Sequence, residues 1–311
     1  MGQNIKDYES LESYESNGFV IIRGVLSRTE VKELREFLLE KSELHGNKRS
    51  LLPRQTLLYP EIYRIQFRDK VIENLKSIIG PGLCYLPELH VQVNMFGFPG
   101  WHTDSASEMP AKYLMEDDYK FAKCGIFFQD NTSEWGGGIM VQPRGHKFPL
   151  KTKINKLDFF FKRLSNKLFR DSCKINVDTQ AGDLVVFDSR LPHASTVPGN
   201  MKGLSIGPYD TIKGISKEFS KLVVYWNSAD IQMAMDYMNS GGQEKAIMSA
   251  NAIKEGGDFF LADSRSHHFP EDYPDEYVNL TIKHSVKIAC LSQKKCLEYK
   301  KLIQQNLNFI D

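Results

Sequence analysis

No stretch of this sequence approaches the roughly 18 consecutive apolar residues of a membrane-spanning helix, and residues 1–9 hold no apolar core of the secretory-leader kind. Cysteine is scarce and poorly spaced for a scaffold. Cys84, Cys124, Cys173, Cys290 and Cys296 are odd in number and contain no C-x-x-C pair, which excludes a zinc knuckle and a full disulfide framework. Charge of one sign is missing too. With 40 Lys and Arg against 39 Asp and Glu, the net +1 gives no global attraction to nucleic acid or to an anionic membrane. There is no internal repeat, no low-complexity tract and no linker that would part off a second domain. These absences point to an ordinary globular protein of the reduced cytoplasm, with no membrane span and no nucleic-acid partner.

What is present suits one large core. A chain of 311 residues with 41% hydrophobic content can bury a sizeable interior, and a single domain over residues 1–311 is expected. Residues 18–25, Gly-Phe-Val-Ile-Ile-Arg-Gly-Val, read as a strand. Ser27 with Glu30 three residues later is a capping-box pattern, and Val31, Leu34, Phe37 and Leu38 recur at helical spacing behind it. A second helix is expected over residues 69–79, stopping at Gly80-Pro81. Short β-branched or aromatic runs follow at 89–96, 124–128, 138–141, 183–188, 204–209 and 221–226, separated by Gly, Pro and Asn. Helical patterns return at 231–238, 243–254 and 290–307. Helices followed by such a series of strands indicate a helix-flanked antiparallel barrel or jelly roll.

Chemistry concentrates in a split trio. His102 and Asp104 stand in Trp101-His102-Thr103-Asp104, and His193 stands in Leu191-Pro192-His193-Ala194-Ser195. In an extended segment residues two apart point to the same side, so His102 and Asp104 can grip one ion together. A histidine from a distant strand would complete the two-imidazole, one-carboxylate facial set of non-haem Fe(II) oxygenases. Taken one at a time, Asp104 could simply end a strand and His193 could be a core histidine. A second feature is a basic segment, residues 151–174, carrying eight Lys or Arg against two Asp, with Phe159, Phe160, Phe161, Leu164 and Leu168 as an apolar stripe. It reads as an amphipathic helix covering the barrel, or as a lid that draws in an anionic substrate. Gly136, Gly137 and Gly138 lack the following Lys-Ser/Thr helix of a phosphate-binding loop. His267-His268, with Glu271, Asp272, Asp275 and Glu276, reads as an exposed acidic loop.

Four stretches in order resemble the phytanoyl-CoA dioxygenase family of Fe(II)- and 2-oxoglutarate-dependent oxygenases. They are residues 17–26 with the helix behind them, Pro99-Gly-Trp-His-Thr-Asp104, Gly136-Gly-Gly-Ile-Met-Val-Gln-Pro-Arg-Gly-His-Lys147, and Ala181-Gly-Asp-Leu-Val-Val-Phe-Asp-Ser-Arg-Leu-Pro-His-Ala-Ser195. The resemblance covers about residues 10–210; the last eighty or so match nothing in it. It implies a mainly β fold with flanking helices (α+β), a double-stranded β-helix (jelly-roll, cupin-like) barrel over about 85–228, with a helical extension over about 229–311. It implies iron on His102, Asp104 and His193, with 2-oxoglutarate and O2 as co-substrates. Related halogenases resemble this pattern but carry a small residue where Asp104 stands, so Asp104 favours hydroxylation or desaturation.

The sequence departs from the family where the remote carboxylate of 2-oxoglutarate is held. Members have an Arg about eleven residues after the distal histidine; here that position is Leu204. Lys202, then Arg190, then Arg144 are the bases expected to replace it, the ammonium without the bidentate fork of a guanidinium. Ser195 matches a family Ser that bonds the same carboxylate, and Gln92 or Asn94 is a further candidate from the strand before the H-x-D segment. Trp101 is expected to wall the site and, with Arg144, to meet substrate; His146 is expected to be structural. The activity implied is hydroxylation of an unactivated C–H bond of a small or carrier-linked anionic metabolite, with release of succinate and CO2. Two other classes stay open: a cupin-like binding protein that has lost turnover, favoured by the missing Arg, and a zinc hydrolase using the same three ligands.

Overall fold

The computed structural model describes residues 8–44, 50–93, 100–104, 113, 116–131, 137–147, 174–196, 221–237 and 273–289. In chain order the helices are α1 (Leu11–Asn17), α2 (Arg28–Leu44), α3 (Pro53–Thr56), α4 (Pro60–Tyr63), α5 (Asp69–Ile79), α6 (Ile231–Tyr237) and α7 (Asp275–Lys283). The strands are β1 (Phe19–Ile22), β2 (Ser50–Leu51), β3 (Leu83–Tyr85), β4 (His90–Val93), β5 (Phe121–Phe127), β6 (Ile139–Val141), β7 (Ile175–Val177), β8 (Leu184–Asp188), β9 (His193–Ser195), β10 (Leu222–Asp230) and β11 (Lys287–Ile288). The fold is mainly β with flanking helices, as expected. The chain groups into two compact units, one drawn from Met1–Arg49, Gln92–Tyr119 and Gly125–Val223, the other from Ser50–Val91, Lys120–Cys124 and Val224–Asp311.

The first unit holds two sheets. In one, β1 pairs antiparallel with β8 in the register Phe19↔Phe187 to Ile22↔Leu184. Every residue of both strands is buried, which is why each reads as an unbroken apolar run. Gly182 N–H, just before β8, donates to Phe127 O of β5 at 2.8 Å and so extends this sheet. In the other sheet β6 lies between β7 and β9, antiparallel to both, with Ile139↔Ser195 and Val141↔His193. Two sheets in this arrangement are the described part of the jelly roll expected from the sequence.

Local rules place the elements around them. The capping box forms as read: Glu30 accepts the Ser27 N–H at 2.8 Å and Ser27 Oγ accepts the Glu30 N–H at 3.3 Å, which starts α2. The strand expected to begin at Gly18 begins at Phe19 instead. Gly18 terminates α1 in the left-handed region (φ 86°), its N–H donating to Tyr14 O. A β-carbon at Gly18 would also clash with His146 Nδ1, so the position suits glycine twice over. Helix α1 escaped the sequence reading because only Ser13 and Tyr14 of its polar run are buried.

In the second unit β10 pairs antiparallel with β3 (Ser228↔Tyr85), and β3 pairs parallel with β11. Helix α5 spans the expected residues, burying Val71, Ile72, Leu75 and Ile79 along one face. The expected acidic loop is corrected at Asp275 and Glu276. Both sit in the first turn of α7 behind Pro274, where acidic side chains favour the helix dipole. Glu276 accepts from Arg64 Nε at 2.6 Å and from Tyr63 O–H at 3.1 Å. Cys84 and Cys124 are free and buried, and burial pushes the Cys124 thiol up to about 12, an unreactive setting. No helix among the described residues is long and apolar enough to cross a membrane. The helices expected at 243–254 and 290–307, the strand at 204–209 and, apart from Lys174, the basic segment 151–174 lie outside the described residues.

Candidate metal centre

His193 opens β9, and the H-x-D segment lies against it as a short antiparallel bridge. His102 N–H donates to His193 O at 3.0 Å, and His193 N–H returns to His102 O at 2.9 Å. Directly opposed residues carry their side chains to the same face, so the two imidazoles stand together, ring centroids 4.3 Å apart. Asp104 is brought to that face by its place two residues after His102, and its N–H is held by Ser189 O at 3.1 Å. The result is a cluster in which one ligand atom from each of His102, Asp104 and His193 lies within 4.8 Å of the others.

Proton positions follow from the hydrogen bonds. His102 Nδ1 lies 2.8 Å from Gly100 O, and His193 Nδ1 lies 2.9 Å from Leu191 O. A carbonyl can only accept, so each Nδ1 carries a hydrogen, and in the neutral imidazole that a metal binds it is Nε2 that keeps the lone pair. Those lone-pair nitrogens face the carboxylate, His102 Nε2 at 3.7 Å from Asp104 Oδ1 and His193 Nε2 at 3.7 Å from Oδ2. Such contacts are too long for hydrogen bonds. They approach the spacing of about 3 Å that neighbouring ligands of an octahedral ion adopt, and backbone-bonded Nδ1 with outward Nε2 is how metal-binding histidines are oriented. The donor set and its tautomers therefore fit a divalent ion such as Fe(II). His193 is buried with the edge of Phe187 against its ring at 4.8 Å, whereas His102 is a third exposed and marks the open side.

A buried ion pair holds the turn that supplies two of these contacts. Arg190 Nη2 donates to Asp188 Oδ2 at 2.7 Å and Nε to Oδ1 at 3.1 Å, with both side chains almost wholly buried. The same guanidinium donates to Glu116 O at 2.8 Å and lies over the Tyr119 ring at 4.0 Å, while Tyr119 O–H and Ser189 Oγ are 2.7 Å apart. Burial raises the Asp188 carboxyl above its ordinary range even though Arg190 pulls it down, so the pair is held against a desolvation cost. Between Asp188 and His193 this clamp fixes Ser189 O, which orients Asp104, and Leu191 O, which orients His193. Asp188, Ser189, Tyr119 and Phe187 were not singled out in the sequence, where Asp188 and Arg190 two apart before a Pro were the available signal.

The other candidates fall into different places. Ser195 is buried on β9, on the same side of the strand as His193, and opposite Ile139. Gln92 is half-buried on β4. Trp101 is half-buried next to His102, with Lys174 Nζ over its ring at 5.3 Å. Arg190 is committed to Asp188, a structural clamp in place of the co-substrate contact expected of it. Arg144 is exposed and holds a left-handed backbone (φ 66°). Gly137 also has a left-handed backbone (φ 78°), and its N–H bonds Thr196 O at the end of β9. Lys202, Asn94 and His267-His268 lie outside the described residues.

Two imidazoles and a carboxylate converging on one point of a two-sheet β fold define a mononuclear non-haem oxygenase class. The chain belongs to the phytanoyl-CoA dioxygenase (PhyH) family, whose family model matches residues 14–197, more than half of its length. Members use Fe(II) and 2-oxoglutarate, the cofactors expected from the sequence, and the chain is an oxygenase-type enzyme by that membership. Similar solved structures include HygX from Streptomyces hygroscopicus with nickel and 2-oxoglutarate bound, at 16% identity over 72% of this chain and 86% of that one, TM-score 0.49. AviO1 from Streptomyces viridochromogenes Tue57 is similar at 13% identity over 75% and 98%, TM-score 0.49. The epimerase SnoN in complex with Fe3+, alpha ketoglutarate and nogalamycin RO is similar at 15% identity over 73% and 83%, TM-score 0.49. No curated protein matches the chain by sequence.

His146 behaves as the structural residue expected of it. Its Nε2–H donates to Glu15 O at 3.2 Å and its other nitrogen packs against Gly18. Burial, helped by the Arg190 charge, pushes its imidazole down to about 4 from 6.5. The unfolded chain therefore takes up a proton as pH falls from about 6.5 to 4 while the folded protein resists it. The stabilisation is full above pH 6.5 and is lost through that window, to the extent of about 2–3 kcal/mol at pH 4.5. Urea unfolding at pH 7 and pH 4.5 measures this, and the His146→Gln variant is expected to show an acid-side loss smaller by that amount. An unchanged loss would show that His146 is not held neutral.

Proposed function

We propose that this protein is an Fe(II)/2-oxoglutarate-dependent hydroxylase whose iron is held by His102, Asp104 and His193, acting on a small or carrier-linked anionic metabolite. The observation that carries the reading is the pair of Nδ1–H bonds to Gly100 O and Leu191 O, which leaves both Nε2 lone pairs facing Asp104 before any metal arrives. Iron and 2-oxoglutarate, when bound there, supply the oxidation itself, consuming O2 and releasing succinate and CO2. The chain's own part is to hold and orient. His102, Asp104 and His193 would supply three donors to the iron and leave its remaining positions for co-substrate and oxygen. Phe187 against His193 keeps the inner side dry, so the charged donor set acts in a low-dielectric setting. Asp104, in place of a small residue, favours hydroxylation.

Replacing His102 or Asp104 by Ala should weaken Fe(II) binding at least about 100-fold, more than loss of a supporting contact costs, and abolish conversion of 2-oxoglutarate to succinate. Far-ultraviolet circular dichroism should stay close to wild type, because both residues are partly exposed. Tight 1:1 Fe(II) binding with succinate formation in His102→Ala would refute the ligand assignment. Fe(II) binding by wild type without any 2-oxoglutarate turnover would favour the binding-protein alternative.

The anionic substrate class rests on charge at the open side. The basic segment ends at Lys174, and the Lys174 ammonium stands over Trp101, the neighbour of His102. A cation there attracts anions, and salt weakens the effect. Among carboxylated, phosphorylated and neutral metabolites screened for stimulation of 2-oxoglutarate consumption, the stimulating compounds should be anionic. For the best of them, Lys174→Gln should lower kcat/KM about 3–10-fold at low ionic strength, with the difference vanishing near 0.5 M salt as screening takes over. Stimulation confined to neutral compounds, or identical salt dependence in the variant, would overturn this part.

A further inference from the structure

We propose that Tyr119 is a positioning residue for the iron ligand Asp104, acting through the Ser189–Arg190 peptide; this rests on the metal-centre reading above. The H-x-D segment is joined to its surroundings by a one-residue bridge at His102 rather than by a long strand. Its backbone shares two hydrogen bonds between His102 and His193, and Asp104 N–H donates to Ser189 O at 3.1 Å. The first two set the register of the imidazoles. The third holds the backbone of Asp104, so the direction of the Ser189 carbonyl bears on where the carboxylate ligand stands.

That carbonyl sits where a turn can reverse. Leu191 N–H donates to Asp188 O at 2.8 Å, closing a four-residue turn with Ser189 and Arg190 as its central pair. The peptide between the central residues separates turn type I from type II: ψ of the first differs by roughly 150°, which swings the carbonyl to the other side. Swung over, Ser189 O would no longer meet Asp104 N–H. Arg190 N–H, at the other end of the same peptide, donates to Asp188 Oδ1 at 2.8 Å and resists that rotation. Arg190 also lacks the left-handed backbone that type II needs at its position. The remaining hold comes from Tyr119. Its hydroxyl and Ser189 Oγ are 2.7 Å apart, and both residues are buried. Its ring lies against the Arg190 guanidinium at 4.0 Å, and that guanidinium donates to Glu116 O at 2.8 Å. Tyr119 therefore grips both central residues of the turn. It follows Asp104 by fifteen residues, so the chain that leaves the ligand comes back to the turn that aims it. Breaking the Asp188–Arg190 pair would strand a buried charge and confuse orientation with folding. The Tyr119 hydroxyl can be removed by itself, which makes it the group to test.

The experiment pairs anaerobic calorimetric titration with Fe(II) and urea unfolding of the metal-free protein. It compares wild type, Tyr119→Phe, Ser189→Ala, the double variant, and Tyr63→Phe, a control tyrosine whose hydroxyl bonds Glu276 in the second unit. Tyr119→Phe and Ser189→Ala should each weaken Fe(II) binding about 10-fold, the low end for contacts that support metal ligands. The double variant should be no weaker than either single one, because all three remove the same bond. Tyr63→Phe should bind Fe(II) like wild type. A Tyr119→Phe protein with a lowered urea midpoint but wild-type Fe(II) affinity would show that the tyrosine serves the fold alone, and would overturn the inference. Additive losses in the double variant would overturn it too. If Tyr119→Phe does not fold, Ser189→Ala decides: weakened binding supports the inference and wild-type binding overturns it. Wild type without Fe(II) affinity would overturn the metal-centre reading, and the inference with it.

Discussion

Two reciprocal backbone hydrogen bonds between His102 and His193 set the geometry on which the centre depends. Side-chain direction on extended chains has a period of two, so a slip of one residue in this pairing would turn one imidazole to the opposite face. The register is protected on each side. Val141↔His193 and Ile139↔Ser195 fix β9 against β6, and Asp104 N–H to Ser189 O fixes the far end of the H-x-D segment. With the register set, the two Nδ1–H bonds complete the orientation, and little rearrangement is left for metal binding.

The cost of this order is carried by the turn between β8 and β9. Asp188 and Arg190 form an ion pair in a place where burial disfavours charge. A hydrophobic pair of similar volume would often be as stable, so stability alone does not account for it. What the ion pair adds is direction. Its hydrogen bonds lock a turn of five residues whose carbonyls at Ser189 and Leu191 each aim a different member of the triad. Tyr119, beneath the guanidinium and bonded to Ser189, ties the residue range 116–119 into the same lock.

Much of this was legible in the sequence where the rule is local. The capping box at Ser27 and Glu30 and the helix over residues 69–79 follow from short-range spacing and appear where expected. The three residues of the cluster were legible because H-x-D obeys the two-residue period of an extended chain. Residues whose meaning depends on burial or on distance through space were not legible. Asp188 and Arg190 look like ordinary turn charges until both prove buried. Glu276 looks like a loop acid because nothing nearby in sequence announces Arg64 and Tyr63 as its partners.

On the proposed reading this scaffold holds one iron through two imidazoles and a carboxylate, prearranged by backbone carbonyls. Fe K-edge X-ray absorption of the anaerobic Fe(II) protein tests it most directly, since imidazole rings leave a distinctive multiple-scattering pattern and sulfur is easily told from oxygen and nitrogen. The expected result is an iron surrounded only by oxygen and nitrogen, with two imidazoles, and further oxygen-donor scattering when 2-oxoglutarate is added. An iron with sulfur ligands, or with no imidazole contribution, would contradict it.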